Sequence, residues 1–172
     1  MILTMSYAIS DILNNSKVFS VFRADVLHSQ GKAENVVDDT VLSDEDESIC
    51  KKYLKIGATE VANVISGYAK NLLDTDGVTE LEPFEFDVTY NAIPNSIVFR
   101  ANLPETFQTA ILALMDESFK DALENYILYR VNKLKGIEFQ SYQADYETAL
   151  SNIRKYVHRR TQSTIRNYNN LV

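Results

Sequence analysis

Between residues 103 and about 168 the apolar side chains return every three or four positions. Phe107, Ile111, Leu114, Ala122, Leu123, Tyr126, Ile127, Val131 and Leu134 form one such series, the stripe by which a helix faces a core. The pattern predicts a helix over 104–135, with Asn102 as its cap and Pro104 in its first turn, where a missing N–H costs nothing. Gly136 stops it, because glycine takes the left-handed cap conformation without steric penalty. A second series, Tyr142, Tyr146, Ala149, Leu150, Ile153, Tyr156 and Val157, predicts another helix after a short break. Two long amphipathic helices joined by a short link favour an antiparallel pair.

The rest of the chain is organised around that pair. Ile9, Ile12, Leu13, Val18, Val21 and Phe22 predict an N-terminal helix over 6–22, capped by Ser6 and weakened in the middle by Asn14, Asn15 and Ser16. Residues 25–42 hold no sustained period and read as a loop. Ser43 precedes the run Asp44, Glu45, Asp46 and Glu47, a capping side chain followed by acids that suit the positive end of a helix dipole. The helix predicted there spans about 44–72, with Gly57 as a kink or break. Residues 74–82 form an acidic turn. The period then changes from about 3.6 to 2. Phe84, Phe86, Val88 and Tyr90 alternate with Glu85, Asp87 and Thr89, a half-buried strand. With 97–100 it predicts a β-hairpin closed by the six residues 91–96. The expected fold is mainly α: one domain, 1–172, comprising an N-terminal helix and loop (1–42), a helix (43–73), a small β-hairpin insertion (84–100), a long antiparallel helical hairpin (103–160) and a polar tail (161–172).

Composition narrows the possibilities. The 172 residues are 45% hydrophobic, enough for a buried core and unlike a disordered chain. No apolar run is long enough to span a bilayer, and the N-terminus has no basic region of the kind that opens a secretory signal. The single cysteine, Cys50, excludes an internal disulfide and fits a chain working in, or assembled in, a reducing cytoplasm. The net charge of −7 is unevenly spread. Residues 1–129 carry 9 basic and 21 acidic side chains, whereas residues 130–172 carry 8 basic and 3 acidic. The acidic balance disfavours non-specific nucleic-acid binding. The asymmetry suits a subunit whose basic end meets an acidic face on a neighbour, although cations also collect near helix C-termini for dipole reasons alone.

No catalytic constellation stands out. His28 and His158 lack the spacing of a metal site. Cys50, preceded by acids, reads as a small hydrophobe. The Asp74-Thr75-Asp76-Gly77 stretch has neither the glycine nor the glutamate of a calcium loop in place and reads as a turn. The chain is thus expected to be non-enzymatic, with no cofactor and no metal. Two sets of residues are candidate interaction surfaces. The basic cluster Arg154, Lys155, Arg159 and Arg160 surrounds Tyr156 near the C-terminus. The acids Asp44, Glu45, Asp46, Glu47, Glu85 and Asp87 are candidates for a subunit interface or channel wall. Ten tyrosines and no tryptophan hint at interfaces, although helix packing explains most of them.

Two stretches carry a resemblance. One runs from Leu42-Ser43-Asp44-Glu45-Asp46-Glu47 through Tyr53-Leu54-Lys55-Ile56 to Val61-Ala62-Asn63-Val64-Ile65. The other runs from Asp121-Ala122-Leu123-Glu124-Asn125-Tyr126-Ile127-Leu128-Tyr129-Arg130 to Tyr146-Glu147-Thr148-Ala149-Leu150 and Ile153-Arg154-Lys155-Tyr156. They resemble the acidic helix start and the closing helical hairpin of head–tail connector (adaptor, or ring) proteins of tailed bacteriophages, most of all those of Bacteroides-infecting crAss-like phages. The resemblance implies a structural virion protein at the neck, assembled in the host cytoplasm. It implies a homo-oligomeric, dodecameric ring below the portal, joining capsid vertex to tail and lining a channel. The implied partners are the portal protein, other neck or tail ring proteins and, transiently, double-stranded DNA, with no membrane. The alternative from the residues themselves is a small non-enzymatic helical regulatory or binding module that docks a single protein partner. A weaker one is a nucleic-acid accessory protein using the cluster at 154–160.

Overall fold

The computed structural model describes residues 2–74 and 76–158. Among them the order is β1 (Ile2–Ala8), α1 (Ile9–Ser29), α2 (Glu34–Thr40), α3 (Glu47–Ile65), β2 (Phe84–Tyr90), β3 (Ile93–Asn102), α4 (Leu112–Lys135) and α5 (Gln140–Val157), with short 3-10 turns before α3, after α3 and before α4. The protein is mostly helical, with a three-stranded antiparallel sheet ordered β1-β3-β2.

The sheet corrects the expected hairpin insertion. β3 is a central strand, because the N-terminus supplies a third strand that the helical reading of 6–22 missed. Ile2 pairs with Asn102 and the register runs to Ala8 opposite Ser96. Ser6, the expected helix cap, lies within this strand opposite Val98. The period-2 signal was there in Leu3, Met5 and Tyr7, of which Met5 and Tyr7 are buried. The hairpin turn is also tighter than the six residues expected. Tyr90 pairs with Ile93, so only Asn91 and Ala92 turn the chain. Both take left-handed φ, 49° and 64°, as a two-residue hairpin turn of matching twist requires. The register of β2 slips on either side of Val88, and Asp87 takes a φ of 63° there. Ile97, Phe99 and Ala101 of β3 join the main core. Val98 and Arg100, the alternate residues, are buried as well.

α4 lies at the centre of the helical layer. It begins at Leu112 and not near 104, because β3 continues to Asn102 and an irregular stretch follows. Its burial exceeds a single stripe: Met115, Phe119, Ala122, Leu123, Tyr126, Ile127, Leu128 and Val131 are at most 2% exposed, and Glu124 and Asn132 are buried too. Leu114 and Leu134, expected inside, are 49% and 62% exposed. Gly136 closes the helix with a φ of 72°, and the Ile137 amide donates to the Asn132 carbonyl at 3.0 Å, a glycine cap. Aromatic rings then join α4 to the segment that follows it. Tyr129 meets Phe139 and Tyr126 meets Tyr146, with ring centroids 5.6 and 5.0 Å apart.

α1 is one continuous helix of 21 residues, and it takes in residues expected to be loop. Its buried face is Ile9, Ile12, Leu13, Ser16, Ser20, Ala24 and Leu27. The serines are tolerated inside because they satisfy themselves locally. Ser16 Oγ donates to the Ile12 carbonyl, and Ser20 Oγ donates to that of Lys17 while accepting the Leu42 amide at 2.9 Å. Buried hydroxyls with partners carry little cost. This phase sends Val18, Val21 and Phe22 outward, opposite to the sequence expectation. The rest of the expected loop holds α2, whose Thr40 is buried. At the start of α3, Ser43 and Asp46 form a capping box, as the sequence signal requires. α3 runs unbroken through Gly57, which lies against the Tyr126 ring.

Candidate functional site

The acids singled out in sequence are mostly tied within the chain. Asp44 accepts from Lys17 Nζ at 2.8 Å, and Glu47 lies 3.9 Å from the same ammonium. The Lys17 hydrogen bond holds the Asp44 carboxyl below its ordinary value. Asp46 accepts from the Ser43 amide and from Lys135 Nζ, both at 2.9 Å. Partial burial pushes its carboxyl up, but these bonds outweigh that and leave it low. This cluster therefore fastens α1 and the C-terminal turn of α4 to the start of α3. Glu45 alone of the four has no partner of this kind among the described residues and points to solvent. Glu85 pairs with Arg100, whose side chain is only 7% exposed and which also donates to the Glu82 carbonyl at 2.7 Å. Asp87 pairs with Lys51 at 2.8 Å.

The basic candidates fall at one end of α5. Arg154 lines an open groove of about 470 Å³ with Glu60, Asn63, Val64, Leu150 and His158. His158 Nδ1 is bonded to the Tyr68 hydroxyl at 2.8 Å. Lys155 lies exposed beside Arg154, and Arg159 and Arg160 lie outside the described residues. At the floor of this region Glu60 accepts hydrogen bonds from both Tyr126, at 3.1 Å, and Tyr146. Burial first, then the Glu60 charge, pushes Tyr126 up to about 12 and Tyr146 further in the same direction. One carboxylate of α3 thus anchors a hydroxyl from α4 and one from α5. Sequence reading passed over Glu60, since a single glutamate on a helix carries no pattern.

Three outward faces remain. The first is the apolar stripe of α1, where Phe22 is 64% exposed, Val18 52%, Phe19 48%, Val21 46% and Val26 43%. The second is acidic. Asp121 and Asp145 line a groove between α4 and α5 together with Asn125, Thr148 and Asn152. Partial burial first, then the charges of Glu117 and Asp145, raises the Asp121 carboxyl. The third is basic and aromatic. The Arg130 guanidinium lies 5.2 Å from the Tyr53 ring, 5.7 Å from Tyr129 and 5.8 Å from Tyr126, within cation–π range of all three. Lys133 lies over Tyr129 and Phe139 at 5.5 and 5.4 Å. Lys52 and Lys55 are exposed on α3, the latter with its ammonium 5.8 Å from the centre of the Phe86 ring.

A buried carboxylate links α1 to α4. Glu124, 4% exposed, accepts from Asn15 Nδ2 at 2.8 Å. Burial raises its pKa, and Asp121 adds to this. A raised folded-state pKa means that stability is highest below the unfolded value and is lost as pH rises through the folded one. Glu124→Gln keeps the Asn15 contact without the charge. It is expected to be neutral or stabilising by up to about 1 kcal/mol at pH 7, with the gain vanishing toward pH 4. Urea midpoints of the two proteins from pH 4 to 7 give the difference.

Cys50 is 3% exposed, and burial, with Asp46 second, pushes its thiol up to about 11, an environment that keeps it protonated and unreactive. Among the described residues no group of three His, Cys, Asp or Glu is placed to hold a metal ion, and no helix is long and apolar enough to cross a membrane. Comparison with known proteins finds no matching family model, no matching curated protein and no matching solved structure.

Proposed function

We propose that this chain is a non-enzymatic structural subunit that self-associates into a ring at the head–tail junction of a tailed-phage particle, below the portal. The observation that carries the self-association is the outward stripe of Val18, Phe19, Phe22 and Val26. Single exposed hydrophobes are ordinary, but a row of large apolar side chains along one side of a helix's solvent face is the kind of patch that marks a protein interface. The phage setting is supported by the resemblance of residues 42–65 and 121–156 to head–tail connectors. On this reading α4 and α5 are the closing helical hairpin of such a subunit. The Arg154 end of α5 is then the part directed toward the portal, with Arg159 and Arg160 following it in sequence. Of the acids singled out in sequence, Glu45 is the one left to face a channel, where like charge would keep passing DNA from sticking.

Co-expression with the portal protein of the same genome tests the setting. A complex that survives purification, and that weakens at least tenfold when Arg154 and Lys155 are changed to glutamate, supports it. A portal that purifies free of this chain contradicts it.

A further inference from the structure

Resting on that reading, we infer that the α1 apolar stripe is one half of a head-to-tail interface whose other half is the lysine–arginine face of α3 and α4 on a second copy of this chain. The argument begins with the phase of α1. Asn15 reaches Glu124 of α4, and Arg23 reaches Glu138 just before α5, at 3.3 Å. Phe19 lies one turn from each, so it borders the channel between α1 and the α4–α5 pair. Val18, Phe22 and Val26 follow the next row outward at the same four-residue spacing. Glu124, the partner of Asn15, stands one turn of α4 beyond Asp121, which lines a groove with Asp145, so that acidic groove runs beside the stripe. The docking surface is therefore an apolar row with acids along one border.

A complementary surface lies on the far side of α4. Asp121 and Arg130 are separated by about two and a half turns of the helix, which sets them on opposite sides. Arg130 meets α3 through Tyr53. The exposed face of α3 there carries Lys52 and Ile56, the latter 38% exposed, and Lys55 follows farther round, its ammonium 5.8 Å from the centre of the Phe86 ring of β2. Neither Lys52 nor Lys55 has a carboxylate within ion-pair distance among the described residues, and neither Asp121 nor Asp145 has a cation. Arg130 and Lys133 are held on aromatic rings, with no carboxylate partner of their own there. Acids beside an apolar row on one side and cations beside an apolar residue on the other are complementary between copies, whereas the same groups of one subunit lie too far apart to meet. Because the two faces differ and lie on different sides of one subunit, the contact is heterologous, and repetition closes a ring or extends a filament.

Full-length protein in three forms tests this by sedimentation velocity: wild type, Val18→Asp with Phe22→Asp, and Lys52→Glu with Lys55→Glu. The changed side chains are at the surface, and circular dichroism checks that each variant keeps the wild-type helix content. Phe22→Ser is the milder replacement if the double aspartate does not. Wild type is expected as a high-order species, and each variant as a monomer, with self-association weakened at least tenfold. An equal mixture of the two variants is expected to give 1:1 dimers and nothing larger, since each retains the face the other lacks. Folded variants that assemble like wild type, or a mixture that stays monomeric, overturn the inference while leaving the ring reading intact. A wild type that is monomeric at all concentrations, with or without portal, overturns the ring reading and this interface together.

Discussion

Phe119→Ala is expected to lower the free energy of unfolding by about 3–5 kcal/mol. Phe119 is fully buried on α4, and its ring is the joint between helices and sheet. It meets Phe99 of β3 edge-on at 5.2 Å and stacks on Tyr7 of β1 at 6.5 Å. Phe99 in turn stacks on Phe84 of β2 at 5.5 Å. One ring thus communicates with all three strands, and its loss leaves a cavity that neither layer can fill by a local shift. A small sheet is stable only through its apolar face or a helix packed on it, and this contact is where the helices meet that face. Against a total stability of about 5–15 kcal/mol, and at roughly 2–4 °C per kcal/mol for a chain of this size, Tm should fall by roughly 6–20 °C. Calorimetry of the two proteins measures it. A fall of less than about 3 °C would mean that the sheet is held elsewhere.

Gly57→Val should come close to that. A Cβ at position 57 would lie 2.8 Å from both Cγ and Cδ1 of Tyr126, and 3.1 Å from its Cβ. Those atoms are the root of the side chain, not a flexible end, so α3 and α4 must separate. The ring cannot swing aside without cost, because its hydroxyl is bonded to Glu60, and Tyr146 packs against it at 5.0 Å between centroids. Overpacking of this kind costs about 1–3 kcal/mol, and the two further methyl groups of valine place it at the upper end. Gly57→Ala is the informative companion. Removing a helical glycine gains up to about 1 kcal/mol, yet the close approach is expected to outweigh that gain and leave alanine less stable than glycine. Removing Cγ and Cδ1 in a Gly57→Ala, Tyr126→Ala double variant should recover part of the alanine penalty at position 57, a coupling that a double-mutant cycle reads directly.

The helix signals that held were those carrying their own local chemistry. Ser43 before its run of acids marked the turn that leads into α3, and Gly136 marked the end of α4, because a capping side chain and a left-handed glycine act within a few residues. The turn at 74–82 was legible for the same reason: Asp76 accepts from the backbone amides of Val78 and Thr79, both at 2.9 Å. The errors came where a tertiary partner decides. Residues 2–8 alternate weakly, and only pairing with β3, far along the chain, makes them a strand. In α1 the apolar residues 18, 21 and 22 outweighed the serines by composition. The buried face is nevertheless the serine one, because small self-bonded side chains suit close packing and because Ile9, Ile12 and Leu13 set the phase. That misjudged helix is also the candidate site. The helix exposes large apolar side chains at the place where a second copy is proposed to cover it, and only the folded chain makes that exposure visible. Of the acids picked from sequence, Asp44, Asp46, Glu85 and Asp87 proved to have cationic partners within the chain. Sequence spacing alone could not have paired residues so far apart.

The account stands on self-association, and the native mass of the purified wild-type protein tests it most directly. Native mass spectra across a hundredfold range of concentration should show a discrete high-order species, twelve subunits on the connector resemblance, that dissociates in high salt as the charged borders of the interface are screened. A single monomer peak at every concentration and every ionic strength would contradict the account and leave a module that docks one partner through the same α1 stripe.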